Sequence, residues 1–226
     1  DAFVEKDLKD KKVVITAGPT IEPIDPVRYI TNHSSGKMGY LLAREAKSRG
    51  AEVVLISGPT SLEAPKGVNL VRVNTTLEMF DAVGKYFDQC DILIKSAAPA
   101  DYRPKDTRTS KIKKDDDEND GLNIELIGNP DIAYHYGNKK DKQIVIGFAA
   151  ETDNVVEYAK GKLKKKNFDF IVANDITKEG AGFKTDTNIV TIIEDNDNIE
   201  SYPIMSKAEL AKIILDKTNN ILINKS

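Results

Sequence analysis

The sequence predicts an α/β fold: a Rossmann-like, doubly wound, mostly parallel sheet that ends in an antiparallel hairpin and carries one polar flap loop. Three observations predict it. Short β-branched runs alternate with segments of helical periodicity along most of the 226 residues. The strand centres are continuously apolar, as in parallel strands covered on both faces. Small and polar residues cluster after the strands, where open parallel sheets bind ligands.

The elements follow in order. Val13-Val14-Ile15-Thr16 is a strand, and Val53 to Ser57 is the next. Between them, Met38 to Arg49 reads as a helix, with Met38, Leu41, Leu42 and Ala46 at helical spacing and Gly50 as its stop. The stretch from Ala17 to Gly36 is a long loop, and loops of that length are usually functional. Leu70 to Val73 is a strand. Thr76 to Phe87 is a helix capped by Thr75 or Thr76, with Glu78 in its first turn. Asp91 to Ala97, Gln143 to Phe148 and Phe168 to Ala173 are further strands, and Val155 to Lys166 is a basic helix. Asn188 to Glu194 and Ser201 to Ile204 form a hairpin around Asp195-Asn196-Asp197-Asn198, and Lys207 to Ile223 closes the chain as a helix.

One domain is expected over residues 1–226, with 1–10 as a tail or linker. Residues 103–121 break the pattern. They hold Lys111-Ile112-Lys113-Lys114 and an acidic run from Asp115 to Asp120, which cannot pack a core, so a mobile flap within the domain is expected. A formal charge of −3 gives no basic field for nucleic acid. The single cysteine, Cys90, excludes an internal disulfide framework or a cysteine metal cluster, and reads as a small buried hydrophobe before a strand. No run reaches the roughly 18 apolar residues of a membrane span, and no signal peptide is visible, so no membrane and a cytoplasmic location are expected. Position 1 is Asp and not Met, which suggests a trimmed enzyme or a piece of a longer polypeptide.

The candidate chemistry sits after the strands. "TNHSSGKMG", Thr31 to Gly39, has the glycines and lysine of a phosphate loop but is not G-x-x-x-x-G-K-[ST]: Met38 stands where a metal-binding hydroxyl should be. Ser34, Ser35 and Gly36 open a helix, where free N–H groups and the helix dipole suit an anion, and Lys37 can add charge. Lys162 and Lys166 share one helical face. Asp101 and Asp175 are candidates for a magnesium ion or a sugar hydroxyl, or simply cap turns. Tyr158 and Lys162 match the spacing of short-chain dehydrogenases, but no G-x-G-x-x-G follows the first strand. A serine hydrolase needs a histidine, and neither His33 nor His135 sits in a suitable context.

Seven segments in order, "TAGPTIEPIDPVRYITNHSSGKMG", "SAAPADYRP", "KIKK", "NPDI", "GFAAET", "ANDI" and "GAGFKTDTN", resemble the bacterial phosphopantothenate–cysteine ligases over nearly all of residues 10 to 220. In many bacteria such a ligase is the C-terminal half of a bifunctional coenzyme A biosynthesis protein, behind a phosphopantothenoylcysteine decarboxylase, so a fused or associated decarboxylase is implied. The resemblance implies a two-step reaction. The carboxylate of 4′-phosphopantothenate attacks the α-phosphate of CTP, with Mg²⁺ on the triphosphate, and L-cysteine then displaces CMP from the acyl-cytidylate. It implies CTP over the ATP of eukaryotic relatives, and a homodimer. By residue, it implies Asn32 as amide donor to the acyl group and Lys111 as a loop lysine over the triphosphate, both catalytic. Lys95, Ser96, Ala97, Asp101, Asn129, Pro130, Asp131, Ile132, Phe148, Lys162 and Lys166 surround the nucleotide, and Ala98 joins Asn32, Ser34, Ser35 and Gly36 at the substrate. No metal ligand is assigned. The rival is a non-catalytic nucleotide-binding module on the same fold, and retention of both Asn32 and Lys111 speaks against it.

Overall fold

The computed structural model describes residues 5–113, 121–175, 177, 185–194 and 198–225. The strands of the main sheet are β1 (Lys12–Ala17), β4 (Glu52–Ser57), β5 (Asn69–Arg72), β6 (Ile92–Lys95), β9 (Ile144–Glu151), β10 (Phe170–Asp175), β11 (Thr187–Glu194) and β12 (Ile199–Ser206). Two short hairpins stand outside it: β2 (Ile21–Pro23) with β3 (Tyr29–Thr31), and β7 (Tyr102–Pro104) with β8 (Leu126–Gly128). The helices are α1 (Lys37–Ser48), α2 (Thr76–Phe87), α3 (Ile132–Lys139), α4 (Val155–Lys165) and α5 (Lys207–Lys225).

Among the described residues the main sheet has eight strands in the order β12-β11-β10-β9-β6-β1-β4-β5. All pairs from β10 to β5 are parallel, and β10–β11 and β11–β12 are antiparallel. The expected class holds, including the terminal hairpin. From β1 the chain winds outward through β4 to β5, then returns to the other side of β1 as β6. The switch point therefore lies between β1 and β6, and loops leaving their carboxyl ends open a crevice there.

Side-chain alternation divides the core between the two faces. Val13, Ile15, Ile92 and Ile94 face α1 and α5, with Leu42, Ala46, Leu210 and Ile214 buried against them. Val14, Leu93 and Val145 face α2, α3 and α4, with Met79, Val83, Tyr136 and Leu163. Cys90 is buried just before β6, its thiol pushed up to about 12 by burial first and then by the charge of Asp91. That is the expected core role.

Three differences from the sequence reading concern connections. The stretch from Ala17 to Gly36 is not one loop, because β2 and β3 pair within it. Asn129-Pro130-Asp131-Ile132, where the sequence predicts no helix, leads into α3, with Asp131 accepting from the Tyr134 N–H at 2.9 Å as its N-cap. The flap is not polar coil throughout. Its first residues form β7, and Arg108 N–H and Thr107 Oγ1 donate to the carbonyls of Ile24 and Pro23 at 2.9 and 3.1 Å. These local partners were invisible to hydrophobic periodicity, since backbone pairing holds the hairpins and not a buried stripe. Lys114, the acidic run 115–120, the glycine-rich segment 180–184 and most of the 195–198 turn lie outside the described residues.

The start of α1 is set by two close approaches. Gly36, its N-cap, has φ 78°, and a Cβ there would lie 3.3 Å from Gly18 Cα. A Cβ on Gly39 would lie 2.5 Å from Ala17 Cβ and 3.1 Å from Ala17 Cα, so α1 rests directly on the end of β1. Gly39→Ala is therefore expected to cost about 1–3 kcal/mol by overpacking against backbone that cannot yield. Urea denaturation checks this, and an unchanged midpoint would contradict the packing described.

Candidate active site

The crevice at the switch point is a cavity of about 390 Å³. A buried polar network shapes its floor. Glu22 Oε1 accepts from Thr20 Oγ1 at 3.1 Å, Thr76 N–H at 2.9 Å and Thr76 Oγ1 at 2.8 Å, and the Ala100 N–H donates to Thr20 Oγ1 at 2.9 Å. All three side chains are buried. One carboxylate thus joins the β2 hairpin, the start of α2 and the loop after β6. The Ala98 N–H donates to Gly18 O at 3.0 Å, bringing the loops after β1 and β6 side by side.

Asn32 follows β3 and reaches across this seam. Its Nδ2 donates to the carbonyls of Ala98 and Pro99, both at 3.1 Å. The amide hydrogens are thus directed at backbone on the loop after β6. The Asn129 amide makes a second tie, donating to Ala100 O at 2.9 Å, and its Oδ1 accepts from Arg103 Nη1 at 2.9 Å.

Cations line the other wall. Lys95 ends β6 and is only 5 % exposed. Its Nζ lies 3.3 Å from Thr16 Oγ1, a neutral partner. Burial, then the charge of Lys166, pull its pKa down to about 7, with Asp131 opposing. Lys166 pairs with Asp131 at 3.0 Å, and Lys162 with Glu151 at 2.6 Å. Burial works to raise the Asp131 carboxyl, but the Tyr134 N–H and Lys166 outweigh it and hold the group below its ordinary value. A buried lysine whose partner among the described residues is a hydroxyl, beside two lysines on carboxylates that can exchange partners, is suited to a polyanion.

The cavity brings together Asn32, Ser34, Ser35, Gly36, Lys95, Ser96, Ala97, Ala98, Asp101, Asn129, Pro130, Asp131, Ile132, Phe148, Lys162 and Lys166, but not Lys111 or Asp175. Lys111 is exposed and lies outside the lining. Its neighbour Ile112 is held away from the cavity: the Ile112 N–H donates to Asp25 at 3.1 Å, and Ile112 O accepts from Arg28 at 2.8 Å. Asp175 accepts from Thr177 N–H and Oγ1 at 3.1 and 2.6 Å and is not in the lining. Tyr158 is exposed, and His135 stacks on Phe80 and Tyr136, a packing role. Among the described residues no group of three His, Cys, Asp or Glu side chains is placed to hold a metal ion, and no helix is long and apolar enough to cross a membrane.

The lining also contains residues that the sequence reading did not single out as site residues: Thr76, Asn174, Asn188 and Lys207. The segment "GAGFKTDTN" pointed toward Asn188, but nothing in sequence marks Lys207, a lysine at the start of a terminal helix.

Fold and site together define a Rossmann-like protein with a lysine-lined crevice at its switch point. The chain belongs to the family described as DNA/pantothenate metabolism flavoprotein C-terminal domain, whose model matches residues 8–222. It is 50% identical over 211 residues to the coenzyme A biosynthesis bifunctional protein CoaBC of Bacillus subtilis (strain 168), covering 93% of this chain and 51% of that protein. It is 47% identical to the protein of the same name from Escherichia coli (strain K12), covering 93% and 52%. The chain thus spans about half the length of these curated relatives. The crystal structure of a CoaBC C-terminal domain superposes with a TM-score of 0.83 at 43% identity, covering 97% of this chain and 100% of that one.

Lys95 generates a pH prediction. The unfolded chain keeps this proton up to the ordinary lysine value of 10.5, while the folded protein releases it above about 7. Between those values the unfolded state binds more protons, so stability rises with pH through that window and is flat in this group below it. Urea denaturation at pH 6.5 and 9 is expected to show a gain for wild type that Lys95→Met lacks. Equal gains in both would contradict the assignment.

Proposed function

We propose that this chain is a CTP-dependent phosphopantothenate–cysteine ligase. The observation that carries the reading is the convergence on one switch-point cavity of an amide side chain, a buried lysine with a hydroxyl partner and two further lysines. Family membership and relatives named for coenzyme A biosynthesis support it, as does the match to a C-terminal domain solved on its own.

The chemistry asks two things of the site. A carboxylate acylates nothing until one oxygen becomes part of a leaving group, so the first step transfers cytidylyl from CTP and releases pyrophosphate. Negative charge concentrates there, and Lys95, Lys162 and Lys166 meet it; Mg²⁺ enters on the triphosphate as part of the co-substrate. In the second step the amine of cysteine attacks the acyl carbon. The C–N bond forms, the carbon–oxygen bond to the cytidylyl group breaks, CMP leaves with that electron pair, and the nitrogen gives up its proton. Asn32 acts here by turning one amide hydrogen from the Ala98 or Pro99 carbonyl to the acyl oxygen. Lys111 serves as a clamp once the Asp25–Ile112 contact opens. A homodimer and an associated decarboxylase complete the reading, and both come from the resemblance.

The test is pyrophosphate release from CTP, Mg²⁺ and 4′-phosphopantothenate, with ATP in parallel, each with and without cysteine. Sustained turnover with CTP and cysteine is expected. Turnover with ATP alone would overturn the nucleotide, and no release with CTP still bound would favour a non-catalytic module. Asn32→Ala is expected to form the cytidylate but to lose amide product, and normal product would remove Asn32 from the mechanism. Lys111→Ala is expected to slow pyrophosphate release, and an unchanged rate would rule out the clamp.

A further inference from the structure

One corner of the cavity has no part in the roles above. It lies where the antiparallel extension meets the starts of α1 and α5. Asn188 of β11 and Lys207 of α5 both line the cavity and are 6 % and 4 % exposed. The β11–β12 register shifts between Asn188 and Val190, a bulge of the kind that re-aims a side chain. Asn188 Oδ1 has no hydrogen-bond partner among the described residues. Buried polar atoms are nearly always satisfied, so an acceptor left open inside a cavity points to a ligand.

Two lysines, Lys207 and Lys37, line the same cavity. Lys207 Nζ donates to Thr185 O at 2.7 Å, and its backbone N–H to Asp186 O at 2.9 Å. Asp186 in turn takes the Lys37 ammonium at 2.7 Å, and Lys37 also lines the cavity. Ser206 and Glu209 cap the helix that Lys207 begins. A fully ionised phosphate fits this corner poorly, because it carries no donor for Asn188 Oδ1. The exocyclic amine of a nucleobase satisfies the oxygen but brings no anion to the lysines. A small molecule with an amine and a carboxylate on one carbon satisfies both.

We infer that this corner is the subsite for the amino-acid substrate, with Asn188 Oδ1 accepting an N–H of the α-amine and Lys207, with Lys37 beside it, holding the α-carboxylate. The inference rests on the ligase reading and names where its second substrate binds. The two ammonium groups also disfavour a third positive charge nearby, which shifts the bound amine toward its neutral, nucleophilic form.

The experiment measures two quantities separately: single-turnover cytidylate formation without thiol, and the KM of the amine substrate in steady-state ligation. L-cysteine is compared with cysteamine, which keeps the amine and thiol and lacks the carboxylate. For wild type, cysteamine is expected to show a KM higher by roughly tenfold or more, the change expected for losing a hydrogen bond between charged groups. Lys207→Met is expected to raise the cysteine KM by a similar factor and to abolish the difference between the two amines. Asn188→Leu is expected to raise the KM of both amines, and Asn188→Asp to restore it. Cytidylate formation and the KM for CTP are expected to stay within about twofold in the Asn188 variants. Equal KM values for cysteine and cysteamine in wild type would overturn the inference without any variant. So would an effect of Asn188→Leu on the CTP KM alone. A wild type that forms no cytidylate would overturn the ligase reading itself, and the inference with it.

Discussion

β1 pairs with β4 on one side and β6 on the other, and the site depends on that central position. Both faces of the strand are covered, so its side chains are committed to packing, and chemistry can occur only where the backbone leaves the sheet. The Gly36 and Gly39 contacts then press the start of α1 against that exit. The loop after β6 is drawn to the same place by Ala98 on Gly18 and by Ala100 on Thr20. These two hydrogen bonds hold the loops side by side, and the loops form the walls of the crevice.

The polar groups sort by burial. Glu22 is buried and satisfied by three donors, so it acts as a structural tie. Asn32 and Asn129 sit nearer the opening and grip carbonyls on the same loop, positions from which an amide can exchange one acceptor for another. Lys162 and Lys166 hold carboxylates that are partly exposed or shared, and among the described residues Lys95 has a hydroxyl partner. The cavity thus offers cationic charge whose present partners are weaker than a triphosphate. Asn188 and Lys207 add a buried acceptor and a buried cation to the same lining, a different complementarity that favours a different ligand.

Much of this was legible in sequence because hydrophobic patterning reports sheets buried on both faces. The strands from Val13 to Ala173 are mostly apolar at their buried positions, with Thr16, Ser57 and Lys95 as polar exceptions at the strand ends, and their bounds are close to those that the sequence predicts. The small hairpins were not legible, since Ile21–Pro23 and Tyr102–Pro104 are held by backbone pairing and carry little apolar periodicity. α3 was missed because its eight residues bury few apolar side chains behind an Asn-Pro-Asp start that reads as a turn. The strand-end residues of the site were visible as small and polar clusters. Lys207 was not, because a lysine in the first turn of a helix is ordinarily exposed, and its burial is a consequence of how α5 meets α1 and β11. Lys111 shows the reverse: a motif names it, while the fold holds its segment at Asp25, outside the cavity.

The central claim is that one cavity activates a carboxylate as a cytidylate and passes it to an amine. The most direct measurement is native mass spectrometry of the protein after incubation with CTP, Mg²⁺ and 4′-phosphopantothenate, before and after cysteine is added. The account predicts a bound species with the mass of phosphopantothenoyl-cytidylate that disappears on addition of cysteine as phosphopantothenoylcysteine and CMP form. Formation of the amide with no cytidylate at any time, or a bound cytidylate that cysteine leaves untouched, would contradict it.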